Sequence, residues 1–228
     1  MSIWVVGDTH ADYDWSKLNT AHFPQQRQLT RDDYVVVLGD WGGVWDGGDS
    51  DRFVQNWYEN KNFTTLWVDG NHENFDKLAE YEVVEWNGGK VQFIRPHIIH
   101  LMRGQIYTIE GKTFFVMGGA PSTDKHRRTE GVSWWAQEVP TNEELYEGLD
   151  NLNAVGNKVD FVLTHTAPYE VAKLALNAYY VDKDPVNQYL EVVAETVDYG
   201  DWYFGHWHTD IDYGKFHGCY RKCPRRIV

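Results

Sequence analysis

Tyr34-Val35-Val36-Val37-Leu38-Gly39-Asp40 places five branched or aromatic residues in a row, then a glycine and a carboxylate. Unbroken apolarity over five residues belongs to a strand buried on both faces. The Gly-Asp that follows puts a short polar side chain at that strand's carboxyl end. The same order recurs along the chain. Ile3–Val6 runs into Gly7-Asp8-Thr9-His10, and Thr65–Val68 leads to Gly70-Asn71-His72-Glu73. Phe161–Leu163 runs into Thr164-His165-Thr166, and Trp202–Phe204 into Gly205-His206-Trp207-His208. Ligands of open α/β sheets bind beyond the carboxyl ends of the strands. If these strands are roughly parallel, all five polar sets meet at one edge.

Helical patterns fall between the short runs, which is the order of an α/β domain. Ser50 is expected to cap a helix carrying Phe53, Trp57 and Tyr58 on one side. Thr141 and Glu144 have capping-box spacing ahead of Leu145, Leu149 and Leu152. Asp184-Pro185 suits the start of a helix through Leu190, Val193 and Val197. Pro168 begins another through Val171, Leu174 and Leu176. Gln105–Ile109 and Thr113–Met117 flank a turn at Glu110-Gly111-Lys112 and predict a hairpin. Asp210–Tyr220 is expected to supply closing strands.

Composition narrows the function. Hydrophobic residues make up 42% of the 228 and charged residues 24%, values of a globular chain. No apolar run is long enough to span a bilayer, so no membrane partner is expected. The N-terminus enters a strand-like run without a basic leader, which predicts a cytoplasmic protein. A net charge of −13 argues against a general nucleic-acid binder, because that role rests on Lys and Arg. A phosphorylated substrate is still compatible, because bound cations reverse the local charge of a cleft. The two cysteines, Cys219 and Cys223, cannot form a four-ligand zinc site and are expected to be free thiols.

Histidine nitrogen and carboxylate oxygen suit Mn, Fe, Zn and similar divalent ions, and these motifs offer no sulfur. Asp40, with two oxygens, can bridge two ions. Glycines before Asp8, Asp40, Asn71 and His206 allow tight turns that bring short side chains together. Taken singly, each motif has an ordinary explanation: Gly-Asp is usually a turn, and His-x-His is often surface. Core packing does not explain why five of the ten histidines fall inside these strand-end motifs. His97 and His100 read as hairpin or surface residues. His22, His126 and His217 have no partner motif, and Arg221-Lys222 with Arg225-Arg226 reads as a solvated basic tail.

In this order the motifs resemble the calcineurin-like metallophosphoesterases: Asp8/His10, Asp40, Asn71/His72/Glu73, His165 and His206/His208. The resemblance implies one domain over residues 1–228, built as a four-layer α/β sandwich of two mixed sheets flanked by helices. It implies that Asp8, His10 and His208 hold one metal, that Asn71, His165 and His206 hold a second, and that Asp40 bridges them. Mn²⁺ is favoured over Fe or Zn. It further implies that His72 contacts phosphate or protonates the leaving oxygen while a metal-bound hydroxide attacks a phosphate mono- or diester. The expected substrate is a phosphorylated small molecule, with nucleotides among the candidates. A nuclease of the same fold is the alternative, and a non-catalytic binding module the weaker one.

The chain departs from the protein Ser/Thr phosphatase branch at the second motif, where Gly43 and Val44 replace an Asp and an Arg. Asp46 or Glu73 is left to orient His72. Residues 118–135, from Gly118-Gly119-Ala120-Pro121 to Trp134-Trp135, resemble a bacterial and phage-type subgroup. Their Lys125, Arg127 and Arg128 are candidate phosphate contacts. The plainer reading is an exposed loop paired with nearby acids.

Overall fold

A computed structural model describes residues 1–178, 181, 184–221 and 224–228. Lys222 and Cys223 lie outside the described residues. Among the described residues, thirteen strands form two mixed sheets. The first holds β1 (Ile3–Val6), β2 (Tyr34–Leu38), β3 (Thr64–Val68), β4 (Val83–Trp86), β5 (Gly89–Arg95), β6 (Ile98–Leu101) and β13 (Arg225–Arg226), in the order β13-β1-β2-β3-β6-β5-β4. The second holds β7 (Gln105–Ile109), β8 (Lys112–Met117), β9 (Lys158–Thr164), β10 (Asp198–Phe204), β11 (Ile211–Tyr213) and β12 (Phe216–Gly218), in the order β11-β12-β10-β9-β8-β7. β1, β2, β3 and β6 are parallel neighbours, as are β8, β9, β10 and β12. All five motif-bearing strands therefore sit in the parallel parts of the two sheets.

Strand alternation builds the layers. Val36, Leu38, Leu66 and Val68 face Phe114, Val116, Leu163 and Tyr203 between the sheets. Val35, Val37 and Trp67 point the other way and pack with Val54 and Tyr58 of α1 (Asp49–Glu59). α3 (Asn142–Ala154), α4 (Tyr169–Leu174) and α5 (Pro185–Thr196) cover the outer face of the second sheet with Leu152, Val171, Leu190 and Val193. The result is the expected four-layer sandwich. The short α2 (Phe75–Leu78) follows the third motif, with Asn74 capping it by accepting from the Lys77 amide.

Several local expectations need correction. Gly48, not Ser50, is the N-cap of α1, and Phe53 is 60% exposed. The buried face runs instead through Asp51, Val54, Gln55 and Tyr58, at the i, i+3, i+4, i+7 spacing of a core-facing stripe. α4 ends at Leu174, which is exposed, so Leu176 lies beyond it. The hairpin turn consists of Glu110 and Gly111, both at positive φ, while Lys112 already pairs with Ile109. His97 and His100 do lie in a hairpin, at its turn and on its second strand, but His100 is buried there, bonded to Gln92 and Asp69. Arg225-Arg226 is not a loose tail: it pairs antiparallel with β1, and Arg225 grips Asp212 at 2.6 Å. Among the described residues, no helix is long and apolar enough to cross a membrane.

Candidate metal centre

The parallel strands deliver their ends to one place, and the loops are tied to each other there. Asp40 O accepts from the amides of Thr9 and His10, which locks the first motif to the second. Asp40 Oδ1 accepts from the His72 amide at 2.7 Å, and Asp8 Oδ1 from the His206 amide at 2.9 Å. Two glycines make these approaches possible. A Cβ on Gly39, at φ +96°, would lie 1.9 Å from the His165 ring, and one on Gly205 would lie 2.3 Å from Asp8 Oδ1. His10, Asp40, His206 and His208 all hold left-handed φ, between 43° and 64°. Non-glycine residues seldom adopt this region, and it clusters at functional sites.

The candidate ligand side chains gather in two places. Asp8, His10 and His208 offer atoms within 4.8 Å of one another. Asn71 Oδ1 lies 3.1 Å from His165 Nε2, and the His165 and His206 rings are 4.9 Å apart. Asp40 stands between the groups, with Oδ2 3.4 Å from His10 Nε2 and Oδ1 3.6 Å from His165 Nε2.

The donor chemistry fits cations. His165 Nδ1 donates to Leu38 O at 2.9 Å, so in the neutral ring the lone pair is on Nε2, facing Asn71 Oδ1. His10 Nδ1 is held by Asp14 Oδ2 at 3.0 Å, which likewise turns Nε2 toward Asp40. These are the outer contacts expected around metal-binding histidines. Asp8 Oδ2 is fully buried, and what approaches it, at 3.1 Å, is Nε2 of His208, itself a candidate ligand. A buried carboxylate oxygen left this way is costly unless a cation meets it.

Electrostatics agree for the two carboxylates and for His206. Burial would raise Asp40, but His165 and His10 outweigh it and hold the carboxyl far below its usual range. Burial raises Asp8 as well, and the His208 side chain and His165 charge override it downward. Burial lowers His206 to about 3, so it presents a neutral ring nitrogen. Burial would also lower His10, yet Asp40 pushes it up to about 9.

His72 belongs to neither group, although its ring lies edge-on to that of His10 at 5.7 Å. Arg128 places Nη1 3.2 Å from its Nδ1 and Nη2 3.1 Å from its Nε2. Burial lowers the His72 pKa, and the Arg128 charge adds to that while Asp40 opposes it. Neither Asp46 nor Glu73 orients this ring: Asp46 accepts from the Gly48 amide and Glu73 from the Trp41 amide. Val44 is buried in the core. Of the three basic candidates, only Arg128 touches the site. Lys125 is drawn to Glu138 at 2.7 Å, and Arg127 is exposed. A cleft of about 620 Å³ opens beside His10 and His72, with Trp45, Tyr13, Asp12 and Gly42 among its lining residues.

Sequence reading overlooks Asp14, Ser122 and Glu138. Asp14 is visible in principle, four residues after His10. Ser122 accepts from Asn71 Nδ2 across 51 residues, and no local pattern announces that contact.

Comparison with known proteins gives one family result. The model of the family described as calcineurin-like phosphoesterase matches residues 1–210. Among solved structures, a phosphopantetheinyl hydrolase from Mycobacterium tuberculosis aligns at 15% identity over 100% of this chain and 95% of its own, with a TM-score of 0.45. No curated protein matches.

Proposed function

Because the chain belongs to the calcineurin-like phosphoesterase family and is thus a metal-dependent phosphoric ester hydrolase, we propose that it hydrolyses a small phosphorylated substrate at a two-ion centre. In this reading residues 1–228 act as one domain, in keeping with a first sheet that takes β1 and β13 from opposite ends of the chain. Asp8, His10 and His208 hold one ion, Asn71, His165 and His206 hold the other, and Asp40 bridges them. The observation that carries this reading is the gathering of buried lone pairs, above all at Asp8 Oδ2, which is fully buried with His208 Nε2 3.1 Å away. Two divalent ions there, with Mn²⁺ the first to try, would supply an activated water and offset phosphoryl charge.

The protein's own groups do the rest. Arg128 binds a phosphoryl oxygen beside His72, where a guanidinium can give two parallel hydrogen bonds. A phosphate dianion arriving there would raise the His72 pKa, because a nearby anion favours the protonated ring. His72 then donates its proton to the departing oxygen. Lys125 is held by Glu138 and Arg127 is exposed, so neither contacts the reacting atoms. Among the described residues, Arg128 at the His72 edge is the one cation beside the cleft, whose lining holds Asp12, Asp14 and Asp51, and that balance favours a small substrate over nucleic acid.

Metal content and turnover separate the roles. Asp40→Asn should cut occupancy of both sites. His72→Asn should keep both ions while turnover falls roughly 10²–10⁴-fold, the usual weight of a general acid. Loss of metal in His72→Asn would refute its assignment. Assays of a nitrophenyl monoester, a diester and single-stranded DNA in parallel separate phosphatase from nuclease. Chelation should abolish turnover on all of them, and full activity in chelator would exclude the two-ion reading.

A further inference from the structure

Glu138 closes the basic segment, in the short turn Ala136–Glu138, and is fully buried. Its Oε1 accepts from the Ser122 amide at 2.7 Å and lies 2.7 Å from Lys125 Nζ. Its Oε2 accepts from Ser122 Oγ, also at 2.7 Å. Ser122 Oγ in turn lies 3.1 Å from Asn71 Nδ2, and Asn71 Oδ1 faces His165 Nε2.

The order of donors and acceptors along this chain matters. An ionised carboxylate only accepts. With Lys125 beside it to offset its buried charge, Glu138 obliges the Ser122 hydroxyl to donate toward it. The lone pairs of Ser122 Oγ are then left for Asn71, which must answer with its NH₂ group. The carbonyl end of the amide is what remains for the centre. If the hydroxyl turned around, the amide could turn as well, and its N–H groups would face a cation.

We propose that Glu138 is a positioning residue that, through Ser122, fixes the Asn71 amide with its oxygen toward the metal centre. This rests on the reading of Asn71 as a ligand. It also gives the 118–138 segment a role beyond phosphate contact: the same carboxylate anchors Lys125 in the loop that carries Arg128.

The test is Mn²⁺ titration by calorimetry, with apo-protein melting measured alongside. Wild type should take up two ions. His208→Ala, which removes a ligand from the other group, marks which step is which. Glu138→Gln offers an N–H toward Ser122 Oγ and permits the reversed order. It should weaken the Asn71 step about 10–100-fold, the usual effect of losing an outer contact to a ligand, and leave the other step within about twofold. Ser122→Ala removes the relay and leaves the buried Glu138 Oε2 without its donor, so it should lower apo melting and weaken the same step, while the other step stays within about twofold.

Unchanged affinities in both variants would overturn the proposal. So would equal weakening of both steps together with a lower apo melting temperature, because that is what a merely structural role produces. A wild type that takes up fewer than two ions would overturn the two-ion reading itself, and this inference with it.

Discussion

At Gly205 a single missing carbon decides whether the site can assemble. A Cβ there would lie 2.3 Å from Asp8 Oδ1 and 2.5 Å from Leu38 O. Neither atom can yield easily: Asp8 Oδ1 accepts from the His206 amide, and Leu38 O holds the His165 ring. Gly205→Ala should therefore destabilise the fold by about 1–3 kcal/mol, the range for overpacking a filled interior. It should also weaken metal binding, because Asp8 must move. Denaturant unfolding and metal titration read the two effects, and a variant with wild-type values for both would show that the approach is looser than the geometry indicates. The left-handed residues add to the same picture. His10, Asp40, His206 and His208 each hold a backbone conformation costing about 1–3 kcal/mol where no special environment compensates. The ladder of amide contacts through Asp40 O and the two carboxylates holds them there.

Among the elements, those whose signals are local were legible in the sequence. Thr141 and Glu144 form the full capping box, with Thr141 Oγ1 accepting from the Glu144 amide and Glu144 Oε2 from the Thr141 amide. Thr141→Ala should cost about 1 kcal/mol of stability. Turnover should be unchanged, as measured by melting and steady-state kinetics side by side. Asp184 caps α5 as its Asp-Pro pair predicts, accepting from the amides of Val186 and Asn187. β1, β2 and β7 begin and end where their apolar runs do. β9 and β10 extend well before theirs, through Lys158 and Asp198, because ladder hydrogen bonds form between backbones whatever the side chain. Of β4, β5 and β6 only a hairpin near His97 and His100 was legible. Gln92, Arg95 and His100 interrupt the apolar pattern of β5 and β6. In the fold, distant partners satisfy these groups: Leu78 O and Tyr81 O for Gln92, Gln55 for Arg95, and Asp69 for His100.

The whole molecule brings strand ends from residue 8 to residue 208 around two buried carboxylates. A ligand that binds only the folded state must then stabilise all of it. Mn²⁺ at about 100 times its Kd adds about 2.7 kcal/mol per site, or roughly 5–10 °C in Tm for a chain of this size. Thermal scans with Mn²⁺ and with chelator check this, and coincident curves would count against a metal site built into the fold. The sequence alone determined an α/β order with polar residues at five strand ends, which follows from short-range grammar: a buried strand, a tight turn, then a polar side chain. The layer architecture and the seven candidate ligands came from the resemblance of those motifs, in their order, to a known family. Tertiary structure alone decided that Arg128 and not Lys125 reaches His72, that neither Asp46 nor Glu73 orients that ring, and that Ser122 and Glu138 stand behind Asn71. Those contacts join residues tens of positions apart. Which of several similar charges arrives is set by how the sheets and loops pack, and no local pattern in the chain encodes it.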